Sequence, residues 1–313
     1  MSGRFDRRTF LKKAVRFSAA AGLSAVGGMP ALARALEEQR EAKKISVLSI
    51  ARQGSPEALV KAAVAGLGGM GKFVGRGDVV AIKPNIAWDR VPEQAANTNP
   101  EVVQAVVRLC LECGAKQVRV FDRSCNEPRR CYKQSGIQEA VLSLGDPAAT
   151  VEHVDETKMV PRIVKSSGAT WLLYRGILEA DKVINVPVAK HHNATRLTLS
   201  LKNIMGVVGG NRGNVHHDLD NNIAELNTLL TWDLIVLDAV RILTAHGPQG
   251  GRTQDVKRID TVVAGTDPVA VDSFAATLFG IAGADLPHVV RSARLGLGEI
   301  DLKNIRIMGV VPG

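Results

Sequence analysis

Short apolar segments alternate with amphipathic segments along most of this chain. The apolar runs are rich in Val and Ile, which favour strands, and they are too short for buried helices. They predict strands at residues 45–50, 78–83, 118–121, 181–188, 233–237 and 261–264. The segments between them predict helices at residues 56–70, 99–113 and 267–280. Residues 195–206 fit a strand and a helix equally well.

Strands that alternate with helices are typical of an α/β fold with a mainly parallel sheet and helices on both faces. The composition agrees, because 45% of the 313 residues are hydrophobic and only 4% are aromatic. Buried parallel strands are usually built from such aliphatic residues. We therefore predict an α/β domain over residues 45–313, built as one large domain or as two lobes.

The first part of the chain has a different pattern. The sequence DRRTFLK at residues 6–12 is followed by a weakly apolar stretch and by ALA at residues 31–33. Paired arginines, an apolar stretch and a small-residue cut site, in this order, predict a twin-arginine (Tat) export signal over residues 1–33 and a linker over residues 34–44. The Tat translocase would then carry the protein to the periplasm, with a membrane anchor if the signal is uncleaved. The competing interpretation is an amphipathic helix with a chance arginine pair on a protein that is not exported.

Net charge argues against one class of partner. The whole chain has 40 Lys and Arg against 31 Asp and Glu, which gives a formal charge of +9. Residues 1–33 carry six basic residues and one acid, so the rest of the chain has a charge of only +4. This excess is small for a domain of that size, and we expect no nucleic-acid partner.

Polar side chains follow several of the predicted strands. Lys83 and Asn85 come after one strand, Asp122 after a second, Lys190 after a third and Asp238 after a fourth. Ligands of open α/β sheets bind beyond the carboxyl ends of the strands, so we expect these side chains to meet. Buried ammonium groups need an opposite charge, and the lysines therefore predict a small anionic ligand. The predicted ligand-binding residues are Lys83, Asn85, Asp122, Asn203, Asp238 and Asp272.

The histidines are concentrated in one part of the chain. Five of the seven histidines lie between residues 191 and 246, and four of them form two His-His pairs. Neighbours in an extended chain point to opposite faces, so each pair supplies one inward imidazole. Two imidazoles with Asp218, Asp220 or Asp238 would suit a divalent metal of unknown identity; the alternatives are proton transfer and core hydrogen bonds. The predicted catalytic residues are Lys190, His191, His192, Lys202 and His217.

Two further features leave alternatives open. The glycine-rich residues 206–214 would either hold an anion with exposed backbone N–H groups or form a mobile lid. Cys125 and Cys131 flank a polar loop and would suit a disulfide in an oxidising compartment, which the sequence does not decide. The alternative is a metal or iron–sulfur site made by all four cysteines, Cys110, Cys113, Cys125 and Cys131.

Several short motifs carry a family resemblance over residues 45–313. They are KPN at 83–85, TNPE at 98–101, CGAK at 113–116, ADKVINVP at 180–187, KNIMG at 202–206, HDL at 217–219 and GTDPVAVD at 265–272. With these motifs the chain resembles the family called domain of unknown function 362. The resemblance implies the α/β fold and, because several relatives look redox-associated, a link to redox proteins. Those relatives carry ferredoxin-type segments, whereas this chain has no C-x2-C-x2-C-x3-C run, so an intrinsic iron–sulfur cluster is not expected.

Two hypotheses about function follow. The first is an exported, redox-associated enzyme that binds a small anionic ligand or a metal at the carboxyl ends of the strands. Lys83, Lys190 and Lys202 would hold negative charge, the histidines would move protons or bind metal, and the aspartates would orient these groups. The second is a non-catalytic binding protein or assembly partner of a periplasmic redox complex, which would have a redox protein as its partner.

Overall fold

A ten-stranded sheet is the centre of residues 45–312, the part of the chain that the structure, a computed structural model, describes. The predicted export signal at 1–33 and linker at 34–44 lie outside the described residues. In chain order the strands are β1 (Val47–Arg52), β2 (Val79–Pro84), β3 (Gln117–Asp122), β4 (Ala149–His153), β5 (Met159–Ile163), β6 (Thr170–Tyr174), β7 (Lys182–Val186), β8 (Val188–His192), β9 (Arg196–Thr198), β10 (Leu234–Leu243), β11 (Val256–Gly265) and β12 (Arg306–Val310).

The α-helices of the described part pack around this sheet. They are α1 (Pro56–Gly66), α2 (Pro100–Glu112), α3 (Pro128–Gln134), α4 (Ile137–Leu142), α5 (Arg175–Leu178), α6 (Ser200–Asn203), α7 (Leu219–Leu226), α8 (Pro268–Thr277) and α9 (Pro287–Arg294). The longest, α2, begins as its sequence predicts. Asn99 accepts a hydrogen bond from the backbone N–H of Glu101 at 2.9 Å, and Pro100 occupies the first turn, where a missing N–H costs nothing.

The sheet is mainly parallel, as predicted. Its strand order is β12-β1-β11-β10-β7-β2-β3-β4, with β8 paired to β10 and β9 to β8. The antiparallel pairs in it are those of β11 with β1 and β10 and that of β8 with β9. Strands β5 and β6 form a separate antiparallel pair. Because β2, β3 and β7 run parallel, their carboxyl ends lie at one edge, where Lys83 of β2 is opposite Asn185 of β7.

Two apolar cores lie on opposite faces of the sheet. Alternate residues of β2 divide between them, with Val80 and Ile82 in one core and Ala81 in the other. Helices α1, α2, α3 and α4 contribute to the first core, and α6, α7, α8 and α9 to the second. Helices therefore cover both faces, which confirms the predicted architecture, and both cores share this one sheet rather than belonging to two lobes.

The structure differs from the predicted elements in places that matter for the site. The predicted strand 181–188 is two strands, because Pro187 interrupts it between β7 and β8. Residues 195–206 contain a short strand and then the short helix α6, so each interpretation holds for part of the segment. Strand β10 continues to Leu243, well past the predicted end at 237, because the antiparallel β11 pairs with it along that length. No helix in residues 45–312 is long and apolar enough to cross a membrane.

Candidate functional site

A buried ion pair joins the carboxyl ends of β2 and β3. Lys83 Nζ lies 2.8 Å from Asp122 Oδ1, and both side chains are 1% exposed. The other carboxylate oxygen of Asp122 accepts the backbone N–H of Ile86 at 2.6 Å. Burial lowers the pKa of Lys83, and the facing carboxylate of Asp122 opposes that shift. The pair is thus a fixed charge arrangement at the edge where parallel strands end.

Two asparagines extend this pair into a network. Asn203 Oδ1 accepts hydrogen bonds from Lys83 Nζ at 2.8 Å and from Asn85 Nδ2 at 3.2 Å. Asn203 Nδ2 donates to Asn185 Oδ1 at 2.7 Å, which ties helix α6 to strand β7. Asn85 Oδ1 in turn accepts a hydrogen bond from Lys190 Nζ at 3.1 Å. Side chains from β2, β3, β7, β8 and α6 are therefore held in one continuous hydrogen-bonded arrangement.

Lys202 differs from the other buried lysines. It is 9% exposed, and its Nζ contacts the thioether sulfur of Met205 at 3.4 Å, a weak acceptor. No carboxylate among residues 45–312 pairs with it. Burial lowers the pKa of Lys202 to about 8 and that of Lys190 to about 7. Both amines are therefore far easier to deprotonate than an ordinary lysine.

A cavity of about 320 Å³ opens beside these groups. The predicted site residues that line it are Lys83, Asn85, Asp122, Lys190, His192, Lys202 and Asn203. The structure thus brings together three lysines from three separate stretches of the chain around one space. Their catalytic and ligand-binding roles stay predictions.

His192 lines the cavity, and one of its ring nitrogens is bonded to the backbone. Its Nδ1 accepts the backbone N–H groups of Ala194 at 3.1 Å and Thr195 at 3.3 Å. Burial, and then the charges of Lys202 and Lys190, lower the pKa of His192 to about 2. The ring is therefore neutral with its proton on Nε2. A metal-binding imidazole needs the reverse arrangement, with one ring nitrogen bare for the metal and the other donating.

His191 faces another way, as neighbours in a strand do. Its Nδ1 accepts the backbone N–H of Gly247 at 3.1 Å, and its side chain lines a different groove, near Leu278 and Phe279. His217 is exposed on a 3₁₀ turn spanning Arg212–Asp218 and does not line the cavity. The prediction that these two residues join the lysines in one centre is therefore not supported by their positions.

Asp238 and Asp272 also lie outside the cavity wall. Asp238 sits within β10, not at its end, and accepts the backbone N–H groups of Asn99 at 2.7 Å and Val240 at 2.9 Å. Asp272 of α8 accepts those of Ser200 at 2.8 Å and Leu201 at 3.0 Å. Burial raises the pKa of each carboxyl to about 6. Asp272 holds the start of α6 and so positions Lys202 from a distance, whereas Asp238 fixes the start of α2.

Arg212 is the residue that the sequence did not single out. It lines the cavity and donates to the carbonyl oxygen of Arg123 at 2.6 Å and to Cys125 Sγ at 3.2 Å. Arg123 in turn donates hydrogen bonds to the carbonyl oxygens of Val208 at 2.9 Å and Gly210 at 3.0 Å. These two arginines tie the glycine-rich loop to the loop after β3. Arginine inside a glycine-rich motif beside a predicted strand end is the signal that would have found it.

Gly206 allows the glycine-rich loop to approach the ion pair. A Cβ at this position would overlap the carboxylate of Asp122 and the ammonium of Lys83. We expect Gly206→Ala to lower the free energy of unfolding by about 1–3 kcal/mol through this overpacking. Urea unfolding followed by circular dichroism measures it. Gly71→Ala is the matched control, because the nearest atom to its Cβ would be Cys113 Sγ at 4.0 Å; equal effects of both variants would contradict the prediction.

The cysteines and acidic residues form no metal site in the part described. All four cysteines are free thiols, so the structure does not form the Cys125–Cys131 disulfide that the sequence left open. Burial keeps the pKa of Cys110 and Cys131 above the usual range, whereas Cys125 is exposed at the cavity. Within residues 45–312 no cluster of three or more His, Cys, Asp or Glu side chains is placed to hold a metal ion.

The fold and the site define an α/β protein with a cation-lined cavity at the carboxyl ends of parallel strands. The chain belongs to the family described as domain of unknown function DUF362, whose sequence model matches residues 80–277. That range includes every residue from Lys83 to Asp272 discussed above. The family description assigns no reaction.

One curated protein and two solved structures are similar to this chain. A thylakoid-associated protein of Synechocystis is 28% identical over 253 residues, which cover 78% of this chain and 76% of that protein. Among solved structures, a Thermotoga maritima protein aligns with 73% of this chain at a TM-score of 0.47 and 12% identity. Lactate racemase apoprotein from Thermoanaerobacterium thermosaccharolyticum aligns with 68% at a TM-score of 0.41 and 12% identity. This chain spans 60% and 53% of the lengths of those two structures.

Proposed function

We propose that this protein is an enzyme that binds a small anionic ligand in the cavity between Lys190, Lys202 and Arg212. The observation that carries the proposal is the ammonium of Lys202, which is buried and has only a thioether as a partner in the described part. A buried cation without an opposite charge is costly, and a bound anion would supply that charge.

Other donors on the cavity wall fit the same ligand. The neutral ring of His192 directs no acceptor to the cavity, because its bare nitrogen is already occupied by backbone N–H groups. Arg212 adds a planar cation, the side chain best suited to a carboxylate or a similar oxyanion. The volume of about 320 Å³ suits a small metabolite. Size and charge together select a small anion rather than a nucleotide or a polymer.

An enzyme is favoured over a non-catalytic binding protein because of Lys190. Its pKa of about 7 leaves much of the amine unprotonated at neutral pH. Binding of an anion needs charged lysines, whereas a neutral amine at the cavity wall is what base or nucleophilic chemistry needs. The association with redox proteins rests on the family resemblance.

Isothermal calorimetry with sulfate and with pyruvate tests the proposed binding. We expect saturable binding of both anions to the full chain, and competition between them. Lys116→Met, which removes an exposed lysine, is the control and should bind as the wild type does. Absence of binding heat with both anions would contradict the proposal, and so would loss of binding in the Lys116→Met control.

Anion binding should weaken as pH rises. The charged form of Lys202 attracts the anion, and its pKa of about 8 means that this form is lost above that pH. The affinity for sulfate, whose own charge is constant, should fall by about tenfold per pH unit above roughly pH 8. Lys190, with a pKa of about 7, should add a shallower decline at lower pH, while His192 stays neutral. A flat calorimetric profile between about pH 7 and about pH 10 would contradict this.

We further propose that the protein is exported to the periplasm by the Tat translocase. The support is the order of paired arginines, apolar stretch and cut site in residues 1–33. The name of the Synechocystis relative, a thylakoid-associated protein, fits the version in which the protein stays at a membrane. Fractionation of cells that express the wild type and the Arg7→Lys/Arg8→Lys variant tests export. The variant should remain in the cytoplasm, and an unchanged distribution would overturn this proposal.

A further inference from the structure

The two most deeply buried lysines of the site differ in how many acceptors surround them. Lys83 Nζ has three, at 2.8 Å each: Asp122 Oδ1, Asn203 Oδ1 and the carbonyl oxygen of Pro84. The contact with Asp122 is an ion pair, and the other two are hydrogen bonds. The carboxylate of Asp122 favours the charged form of Lys83 and opposes the lowering of its pKa by burial.

Lys190 has two acceptors. Its Nζ donates to Asn85 Oδ1 at 3.1 Å and to the carbonyl oxygen of Ala96. A neutral amine has two N–H bonds and one lone pair, so these two acceptors satisfy the neutral form completely. The remaining tetrahedral direction has no acceptor among residues 45–312, and the side chain lines the cavity. The geometry of this site thus suits an amine whose lone pair is free to react.

The electrostatic surroundings agree with the geometry. No carboxylate pairs with Lys190 in the described part, and burial and the charges of Lys202 and Lys83 lower its pKa, while Cys125 and Asp122 oppose them. An amine desolvated next to other cations is the usual form of a nucleophilic lysine. Lys202, with a pKa of about 8, is meanwhile mostly charged at neutral pH, and it lines the cavity together with Arg212, where both side chains can meet an anionic group of the same ligand.

We propose that Lys190 is a nucleophile that forms an imine with a small 2-oxo acid, whose carboxylate Lys202 and Arg212 hold. This rests on the proposed anion site and names its substrate class. An amine attacks an electrophilic carbon, and a 2-oxo acid carries such a carbon directly beside a carboxylate. Sulfate and phosphate offer no such carbon, so the free amine distinguishes this class from a simple oxyanion.

The step balances without an oxidant. The lone pair of Lys190 Nζ forms the N–C bond to the keto carbon, and the C–O π electrons move to oxygen. The amine then gives up both of its protons as the keto oxygen leaves as water, and a C=N bond replaces the C=O bond. Lys83 is less suited to this role, because its Nζ is paired with the Asp122 carboxylate and donates to two further oxygens, whereas no carboxylate pairs with Lys190 in the described part.

Reductive trapping of the full chain tests the proposal. The protein is incubated with pyruvate and cyanoborohydride near pH 7, and peptide mass spectrometry locates the carboxyethyl group that results. We expect labelling of Lys190 to exceed that of the exposed Lys61 by roughly a hundredfold or more, since an ordinary lysine is almost entirely protonated at this pH. Excess sulfate should suppress the labelling of Lys190 and leave that of Lys61 unchanged.

Two variants keep the result interpretable. Lys190→Gln retains hydrogen bonding and should lose the label; it should bind sulfate more weakly than the wild type, because one cation of the anion site is gone. Lys61→Arg should label at Lys190 as the wild type does. The imine proposal is wrong if Lys202 or surface lysines are labelled preferentially, or if a protein that binds pyruvate in the calorimeter acquires no label. Either result would leave the proposed anion site intact. If neither pyruvate nor sulfate binds, the proposed function fails as well.

Discussion

Lys202→Met will make the protein more stable and will weaken its binding of sulfate by about a hundredfold or more. The two effects have one cause. The ammonium of Lys202 is buried against a thioether, without a carboxylate partner in the described part, so folding has to desolvate it. Methionine has a similar volume and carries no charge. Replacing buried ionic groups by well-packed apolar residues of similar volume is often neutral or stabilising by about 1–4 kcal/mol, and an unpaired ammonium should lie at the stabilising end of that range.

The opposite effects on stability and on sulfate binding distinguish a ligand-binding residue from a structural one. Urea unfolding measures the stability, and calorimetry with sulfate measures the binding. Lys116→Met removes an exposed lysine and should change neither. A Lys202→Met protein that is less stable and binds sulfate normally would show that Lys202 serves the fold and not a ligand.

Lys83→Met should be the most destabilising single change in the site. It leaves the carboxylate of Asp122 buried without its cation, and breaking a buried ion pair in this way costs about 3–5 kcal/mol. The double variant Lys83→Met/Asp122→Leu removes both charges and should recover most of that loss. Urea unfolding of the wild type, the single variant and the double variant gives the comparison.

The chain provides a matched exposed pair as a control. Lys61 and Glu57 lie 2.7 Å apart on α1, four residues apart on the surface of the helix. Lys61→Met should cost no more than about 0.5 kcal/mol, because solvent screens such pairs. If Lys83→Met proved as mild as Lys61→Met, the buried pair would not organise the ends of β2 and β3 as we describe.

Sequence reasoning found the part of the site that depends on sheet topology. Lys83, Asn85 and Asp122 follow from a general rule, since parallel strands bring their carboxyl ends to one edge. Lys202 and Asn203 were recognisable because they interrupt an apolar segment, where charge requires a reason. The family model covers the same residues.

The remainder depends on three-dimensional details that a sequence does not carry. Asp238 missed the cavity because pairing with β11 extends β10 beyond the predicted end and encloses the carboxylate. The second His-His pair lies on a 3₁₀ turn, which places His216 at the cavity and His217 in solvent. A shift of one residue along the turn would exchange these two positions, and the sequence does not determine that shift. The tautomer of His192 is set by the backbone of the two residues that follow it at close range, Ala194 and Thr195.

The register of β2 has a consequence for how the chain reaches this structure. Val80 and Ile82 face one core and Ala81 the other, so Lys83 shares the face of Ala81. A slip of β2 by one residue would drive the ammonium into the layer packed by α1 and α2 and move Val80 and Ile82 to the opposite core. A mispaired intermediate would thus carry a charge in hydrocarbon, a heavy penalty that correct pairing avoids. The same lysine that lines the cavity therefore also disfavours the wrong register of β2.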